Sequence, residues 1–253
     1  MAAVLALPIP VQAQQEQNPS SENRQKLSNA KKKLVYGAEV DFLSGFLWRG
    51  MTLTDKPVTQ PAAWISKSGL SFTVWSSTHL THEPGAKLFN FTDLILTYSR
   101  DWKKLTIEPT LEGYVNRPPT GEFDPHTMEV ALKLSYPIGP FTAFTSHAID
   151  LIAYRGAYFG ETGITYKRTM KKTDLELTIR SGWASSKFNN GYIGVNKPAV
   201  NFVGVDGGLA FNLNSHLYIR PHLEFNRMID RQLRAVSLKP TFFTFGLTMG
   251  MEF

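Results

Sequence analysis

Residues Thr241–Phe253 read TFFTFGLTMGMEF and close the sequence. The odd positions from Phe243 to Phe253 are all apolar, whereas the even positions from Thr244 to Glu252 are Thr, Gly or Glu. Because side chains alternate between the two faces of a strand, this pattern predicts a β-strand with one apolar face and one small or polar face. Taken alone, the stretch is compatible with a membrane β-barrel and does not exclude a soluble β-sandwich.

Length and composition limit the possible classes. The 253 residues suffice for one large β domain or two ordinary ones, with 42% apolar and 19% charged residues. Beyond the N-terminal leader, no apolar run reaches the roughly 18 residues of a transmembrane helix. This criterion does not detect a membrane barrel, because the apolar residues of its strands alternate with polar ones. The lack of cysteine excludes disulfides, thiolate metal sites and a lipid-anchored cysteine.

The N-terminus resembles an export signal. The stretch MAAVLALPIP is apolar, and the small residues Val11 and Ala13 follow it, which predicts a signal peptide at residues 1–13 cleaved after Ala13, although the usual basic segment is missing. Residues 14–33 are polar and predict a flexible periplasmic segment. The remainder, residues 34–253, is predicted to be a single barrel domain.

Alternating segments recur along residues 34–253. The first, Leu34–Trp48, would be roughly 45 Å long if it were one strand, which is enough to span a bilayer at a tilt. Eleven further candidates follow: Val58–Lys67, Leu70–His79, Leu88–Arg100, Leu105–Tyr114, Thr127–Tyr136, Phe141–Ile149, Ala157–Lys167, Thr173–Ala184, Val200–Asn212, Ser215–Asn226 and Thr241–Phe253. A change of face near Thr92–Asp93 predicts a β-bulge.

The connections between these candidates alternate between short and long. This alternation is typical of an antiparallel meander with periplasmic turns at one end and external loops at the other. We therefore predict an all-β fold, a single antiparallel up-and-down transmembrane β-barrel of about 12 strands, within a range of roughly 10–14.

Aromatic residues gather at the predicted strand ends. Barrels carry such belts where the apolar surface meets the membrane interface. The predicted interface aromatics are Tyr36, Tyr98, Tyr136, Tyr166 and Phe253 at the periplasmic end and Trp48, Trp183, Phe225 and Phe243 at the external end.

Charged residues on the opposite strand face would line the interior. The predicted lumen residues are Glu39, Asp41, Asp93, Glu108, Glu112, Glu129, Lys133, Glu161, Glu176, Arg180, Asp206, Arg220 and Glu224. Their acidic excess would favour cations if the barrel conducts. The alternative is an interior filled by salt-bridged side chains, and the sequence leaves both open.

Enzymatic and metal sites find little support. A lipid hydrolase needs a nucleophile and a histidine together on the lipid face. Ser77 and His79 share the predicted lumen face, and the neighbours Ser146 and His147 point apart. Two loop sets could bind a metal, namely His79 with His82 and Glu83, and Glu122 with Asp124 and His126, but we predict no metal, no cofactor and no catalytic residue.

The net charge of +6 does not indicate nucleic acid, because the basic residues lie mostly in the predicted turns and loops. Arginines of the last external loop, Arg227, Arg231 and Arg234, are candidates for contact with lipopolysaccharide phosphates.

Two stretches resemble known outer-membrane proteins. The C-terminal strand is similar to the terminal strands of bacterial outer-membrane barrels, which implies recognition by the barrel-assembly machinery through Phe253. Residues 40–76 are similar to the opening hairpins of uncharacterised TorF-like porins, through Arg49-Gly50, Thr54-Asp55, Gln60-Pro61, Gly69 and Val74-Trp75. This resemblance covers about a sixth of the chain and implies a bacterial outer-membrane location rather than a particular substrate.

The sequence thus predicts an exported, narrow porin-like channel for small solutes, surrounded by outer-membrane lipid and lipopolysaccharide. A non-conducting structural or surface-interaction barrel is the alternative, and a lipid-modifying enzyme is a third hypothesis.

Overall fold

The alternating segments form the wall of a closed barrel. A computed structural model describes residues 34–81, 91–116 and 125–253, so the predicted leader and lead-in at residues 1–33 lie outside the described residues. The barrel has twelve antiparallel strands, which confirms the predicted fold class. The wall strands are β1 (Val35–Leu43), β4 (Val58–Lys67), β5 (Leu70–His79), β6 (Phe91–Tyr98) with its continuation β7 (Arg100–Trp102), β8 (Leu105–Asn116), β9 (Thr127–Ile138), β10 (Phe141–Asp150), β11 (Tyr158–Met170), β12 (Thr173–Ala184), β13 (Ala199–Asn212), β14 (Leu217–Met228) and β15 (Thr241–Glu252).

The barrel closes by pairing its first and last strands. β1 runs antiparallel to β15, from Gly37 opposite Glu252 to Leu43 opposite Gly246. Beyond this ladder, Tyr36 and Phe253 exchange backbone hydrogen bonds of 3.1 and 2.8 Å between N and O atoms. Each wall strand described therefore has a partner on both sides, which leaves no open edge to satisfy.

The outer surface of the barrel is apolar. Ile179 is 66% exposed, Phe245 64% and Tyr36 49%, with many other large apolar side chains beside them. Soluble monomers rarely expose apolar surface on this scale, whereas a membrane barrel requires it. The two-sheet sandwich that the C-terminal stretch alone left open is therefore wrong.

The first strand is shorter than predicted. β1 ends at Leu43, and after a bend at Ser44-Gly45 the chain turns into the barrel as a small hairpin of β2 (Phe46–Trp48) and β3 (Met51–Thr54). Glycine is required in this bend, because a Cβ at Gly45 would approach the Phe242 ring to 2.7 Å. The predicted bulge at Thr92–Asp93 is also wrong, because the register continues unbroken there. Ser99 separates β6 from β7, but both strands pair with β8 in one register.

Connections alternate in length as predicted. Short turns join the strands at the end that holds Tyr36 and Phe253, which we call the turn end. Long connections lie at the other end, the loop end, and they carry the β2–β3 hairpin and the helices α1 (Ser186–Ile193) and α2 (Arg231–Val236). Within the described residues, neither helix has the length and apolarity needed to cross a membrane.

Candidate functional site: a polar interior beneath a loop-covered mouth

The interior of the barrel is polar. All thirteen predicted lumen residues lie on the strand faces that point inward, which are opposite to the faces of the exposed apolar residues. Most of those near the turn end, such as Glu39, Glu108 and Arg220, are partly exposed, whereas Asp93, Glu112 and Glu129 near the loop end are buried. The interior thus has an accessible half and a covered half.

Arg180 forms the largest charge cluster inside the barrel. Its guanidinium lies 2.6 Å from Asp206 (Nε to Oδ2) and 3.1 Å from Glu161 (Nη1 to Oε2), and it also pairs with Glu224. Asn226 donates a hydrogen bond of 2.6 Å to the same Glu224 oxygen. One arginine therefore connects carboxylates from three other strands, so these acids are paired and are not free to act on a solute.

Smaller polar pairs lie closer to the turn end. Tyr218 donates a hydrogen bond to Glu39, and His222 Nε2 lies 2.9 Å from Asp41 Oδ1. Lys167 lies 2.8 Å from Glu176, with side chains that are 38% and 36% exposed. Solvent therefore reaches this half of the interior.

The β2–β3 hairpin fills part of the loop end. Its turn uses positive φ angles at Arg49 (48°) and Gly50 (81°). Trp48 is 1% exposed and packs against Phe188 (5.8 Å between ring centroids) and Tyr192 (5.2 Å). The prediction that Trp48 is an interface aromatic is therefore wrong, because the bend after β1 takes it out of the wall and into the interior.

The two helices complete this cover, and we call the hairpin, α1 and α2 together the mouth. The side chain of Ser185 caps α1 by accepting a 3.2 Å hydrogen bond from the Phe188 amide, and Gly194 ends the helix with a φ of 84°. Asp230 caps α2 in the same way. The apolar side chains Phe188 and Leu233 are fully buried, so the mouth is tightly packed.

Under the hairpin lie three acids that we call the acidic wall: Asp93, Glu112 and Glu129. Arg49 binds Glu129 through two hydrogen bonds of 3.0 and 2.5 Å, and Tyr114 donates a third of 2.9 Å. Burial alone would lower the pKa of Arg49, but the Glu129 carboxylate outweighs it and raises that pKa, so Arg49 stays charged.

The remaining predicted interface aromatics lie on the outer face of the barrel. Tyr36, Tyr98, Tyr136, Phe225, Phe243 and Phe253 are exposed, and Tyr166 and Trp183 are half-buried. Tyr36 stacks on Phe253 with ring centroids 5.7 Å apart, across the seam that closes the barrel.

The residues weighed for hydrolysis do not form a catalytic arrangement. Ser77 faces inward beside Gln60 (3.5 Å), whereas His147 faces outward, apart from Ser146. The His147 ring lies 2.7 Å from the Tyr158 hydroxyl and 3.1 Å from Thr145 Oγ1. Since Thr145 donates its hydrogen to the Glu161 carbonyl, the histidine Nε2 donates to Thr145 and Nδ1 accepts from Tyr158, so the histidine cannot serve as a base toward the Thr145 hydroxyl.

Metal ligands are not gathered in the part of the chain that the structure describes: no three His, Asp or Glu side chains there are placed to hold a metal ion. His126 instead accepts a 3.1 Å hydrogen bond from the Asn116 amide. His82, Glu83, Glu122 and Asp124 lie outside the described residues.

Comparison with known proteins agrees with this geometry. No family model matches the sequence, and no curated protein matches it. Among solved structures, the NanC porin is similar with a TM-score of 0.52 and 11% identity, over 86% of this chain and 98% of that chain. The chain has a porin fold.

Two more distant likenesses were found. The KdgM porin has a TM-score of 0.49 and 9% identity, over 87% of this chain and 98% of that chain. The translocator domain of autotransporter NalP from Neisseria meningitidis has a TM-score of 0.46 and 10% identity, over 90% and 92%. Together with the apolar outer surface, the porin fold indicates an outer-membrane protein.

The sequence analysis missed several interior groups of this porin fold. Lys167 and His222 share the strand parity of Glu161 and Arg220, so the alternation alone could have identified them. Arg49 could not be found in this way, because it reaches the interior from a loop. Arg49 and Lys167 add two basic residues to the predicted set of interior residues. Asp150, Asp174 and Glu252 add three inward-facing acids to it.

Proposed function

We propose that the protein is a narrow porin-like channel for small solutes in the bacterial outer membrane, with an acidic interior that favours cations. The observation that carries this proposal is the solvent-exposed charge inside the barrel, seen best in the Lys167–Glu176 pair. Exposed charge enclosed by a barrel wall requires water inside, and water inside is the first condition for conduction. The chain performs no covalent step in this function.

The acidic excess of the lumen gives the expected ion preference. Rings or walls of Asp and Glu favour cations at close range. Arg180 and Lys167 neutralise part of this excess, so the preference should come mainly from other acids, such as Glu39 and Glu108.

A second function, a non-conducting structural or surface-interaction barrel, is favoured by one observation. Trp48, Phe188 and Leu233 in the mouth, and Phe202 on β13, are at most 1% exposed, which is the packing of a protein core. On this alternative the mouth is a permanent plug, and its outer surface serves as a binding platform.

The proposed partners follow from the fold and from the resemblances of the sequence. We assign the terminal strand ending in Phe253 to the assembly machinery and the exposed Arg231 to lipopolysaccharide phosphates. The likeness of residues 40–76 to TorF-like porins supports the assignment to porins without naming a solute.

Single-channel recording in planar bilayers tests the proposal. The wild type should give small, cation-selective steps, seen as a reversal potential of cationic sign across a KCl gradient. Replacing residues 45–56 with a short turn should increase the unit conductance, because it removes the hairpin from the interior. The variant Glu39→Gln/Glu108→Gln should reduce the selectivity while leaving the mouth intact.

Two outcomes separate the hypotheses. If the wild type and the trimmed variant are both silent, the channel proposal is wrong and the non-conducting barrel stands. If only the trimmed variant conducts, the hairpin is a plug that must move before solute passes.

A further inference from the structure

The Arg49 guanidinium occupies a site with the features of a cation-recognition pocket. Its carbon lies 4.7 Å from the ring centroids of both Trp48 and Phe159, and 5.5 Å from that of Phe188. Both of its terminal nitrogens are bound by the two oxygens of Glu129. Aromatic faces together with a bidentate carboxylate are how proteins bind guanidinium and ammonium groups.

The acidic wall holds more carboxyl groups than Arg49 can pair with. Glu112 lies directly across from Glu129 in the β8–β9 ladder, and Asp93 lies across from Tyr114 in the β6–β8 ladder. Asp93 is 0% exposed and Glu112 2%. One guanidinium thus faces three acids.

Part of this wall also lacks donors. Among the described residues, no amide, ammonium, guanidinium or hydroxyl group donates a hydrogen bond to either oxygen of Asp93 or to Oε1 of Glu112, and Asp93 shares a hydrogen bond with the Glu112 carboxyl instead. Buried carboxylate oxygens without donors are costly, so such groups normally face a proton, a cation or a donor from a ligand. The wall therefore has binding capacity beyond what Arg49 uses.

The arginine sits on an element that is separate from the barrel wall. β2 and β3 form their own two-stranded sheet and share no ladder with the wall strands. The links of the hairpin to β15 and the preceding loop are side-chain contacts, including Thr52 to the Lys239 carbonyl (2.9 Å) and the partly exposed Asp55–Lys239 pair (2.7 Å). Displacing the hairpin would take Arg49 and Trp48 out of the pocket and uncover its other members, Glu129, Phe159 and Phe188, without breaking the ladders of the barrel wall.

We propose that the acidic wall of Asp93, Glu112 and Glu129 recognises the guanidinium or primary ammonium group of a cationic solute, and that Arg49 occupies this site while the hairpin is folded in. This inference rests on the proposed channel function and names its solute class. Competition between the solute and Arg49 then couples solute binding to movement of the hairpin.

Arg49→Met tests binding directly, because it keeps an unbranched side chain about as long as the aliphatic stem of arginine and removes the guanidinium group. Methylguanidinium should raise the melting temperature of purified Arg49→Met clearly more than that of the wild type, in which it must compete with Arg49. Sodium glutarate at matched ionic strength should raise neither. In Arg49→Met/Glu129→Gln, the apparent affinity for methylguanidinium should fall about tenfold, since a charge-assisted hydrogen-bond pair is lost.

Arg168→Met is the matched control. It removes an arginine that is exposed near the end of β11, at the turn end rather than at the loop end where the acidic wall lies, and it should show no methylguanidinium response beyond that of the wild type. If Arg49→Met does not fold, Glu112→Gln in the wild-type background replaces it. This variant keeps the Arg49–Glu129 pair and removes one further carboxyl group of the wall, so methylguanidinium should block its current more weakly than that of the wild type.

Current recordings connect the site to the solute path. Methylguanidinium should block Arg49→Met channels more strongly than wild-type channels, and Glu129→Gln in addition should relieve the block. No thermal response in Arg49→Met, or an equal response to potassium, would overturn the proposal, as would binding without block in a conducting barrel. If no variant conducts, the channel function fails, and the melting experiment alone decides whether the wall binds cations.

Discussion

At the scale of single residues, strand parity predicts which side chains face inward and fails where the backbone bends. Glu39 and Asp41 face the interior as their alternation predicts. Trp48 shares the outward parity of Tyr36, yet it lies inside, because Gly45 lets the chain leave the wall three residues earlier. Parity counting assumes a straight strand, and nothing in the alternation of Phe46 and Trp48 shows where the strand ends.

Gly50 holds the hairpin turn, and its substitution gives the first prediction. Its φ is +81°, and a Cβ there would lie 2.4 Å from the ring of Phe202. Gly50→Ala should therefore cost about 2–4 kcal/mol through backbone strain and overpacking. The measurements are urea unfolding of the refolded protein and tryptic cleavage after Arg49, which should become faster.

Gly139 supplies the control for that prediction. It also has a positive φ, of 60°, but an added Cβ would meet no atom within 4 Å. Gly139→Ala should cost only about 1 kcal/mol and leave cleavage at Arg49 unchanged. Equal effects of the two substitutions would show that contact with Phe202 does not hold the hairpin in place.

At the scale of elements, the wall could be predicted and the mouth could not. The strands repeat a local pattern with period two, and the alternation of short and long connections gives their direction. Packing of Phe188 on Trp48 joins residues 140 positions apart through a contact that follows no period. The burial of α1 and of the hairpin is therefore a tertiary property that the sequence pattern does not contain.

An ion pair joins the connection that carries α1 to the connection that carries α2. The pH dependence of this pair gives a second prediction. Lys197 Nζ lies 2.6 Å from Asp230, which also accepts hydrogen bonds from the amides of Gln232 (2.8 Å) and Leu233 (3.3 Å). The lysine hydrogen bond is the main cause that lowers the pKa of Asp230 below its ordinary value of about 4.

A lowered pKa in the folded state sets the sign of the effect. The stabilisation of the folded state by ionised Asp230 is complete above the pKa that Asp230 has in the unfolded chain. It disappears as the pH falls through the pKa that Asp230 has in the folded protein. Asp230→Asn keeps the helix cap and removes the charge, so at pH near 7 it should speed amide exchange in α2 about twofold, as expected for a partly exposed pair.

Comparing amide exchange of wild type and Asp230→Asn at the same pH measures this effect. Their difference should vanish in acid, below the folded pKa of Asp230. Lys197→Met should have the same effect as Asp230→Asn, and combining them should add nothing. A difference that persists in acid would assign the effect to the cap rather than to the ion pair.

At the scale of the whole molecule, one sheet separates three environments. Its outer face is apolar, its interior near the turn end is charged and partly exposed, and its loop end is filled by the mouth. The strong alternation of the strands predicts the first two environments. The third decides whether solute passes, and it depends on a hairpin that leaves the wall after Leu43.

Thiol labelling of single-cysteine variants in lipid vesicles tests these environments directly, because the chain has no cysteine of its own. A water-soluble thiol reagent should label Glu176→Cys, in the exposed interior, and spare Ile179→Cys, which is 66% exposed on the apolar face and covered by lipid. Thr244→Cys, 1% exposed beneath the mouth, should react slowly, and all three should label fully after unfolding. Fast labelling of Ile179→Cys together with protection of Glu176→Cys would contradict a barrel whose apolar face meets lipid and whose interior holds water.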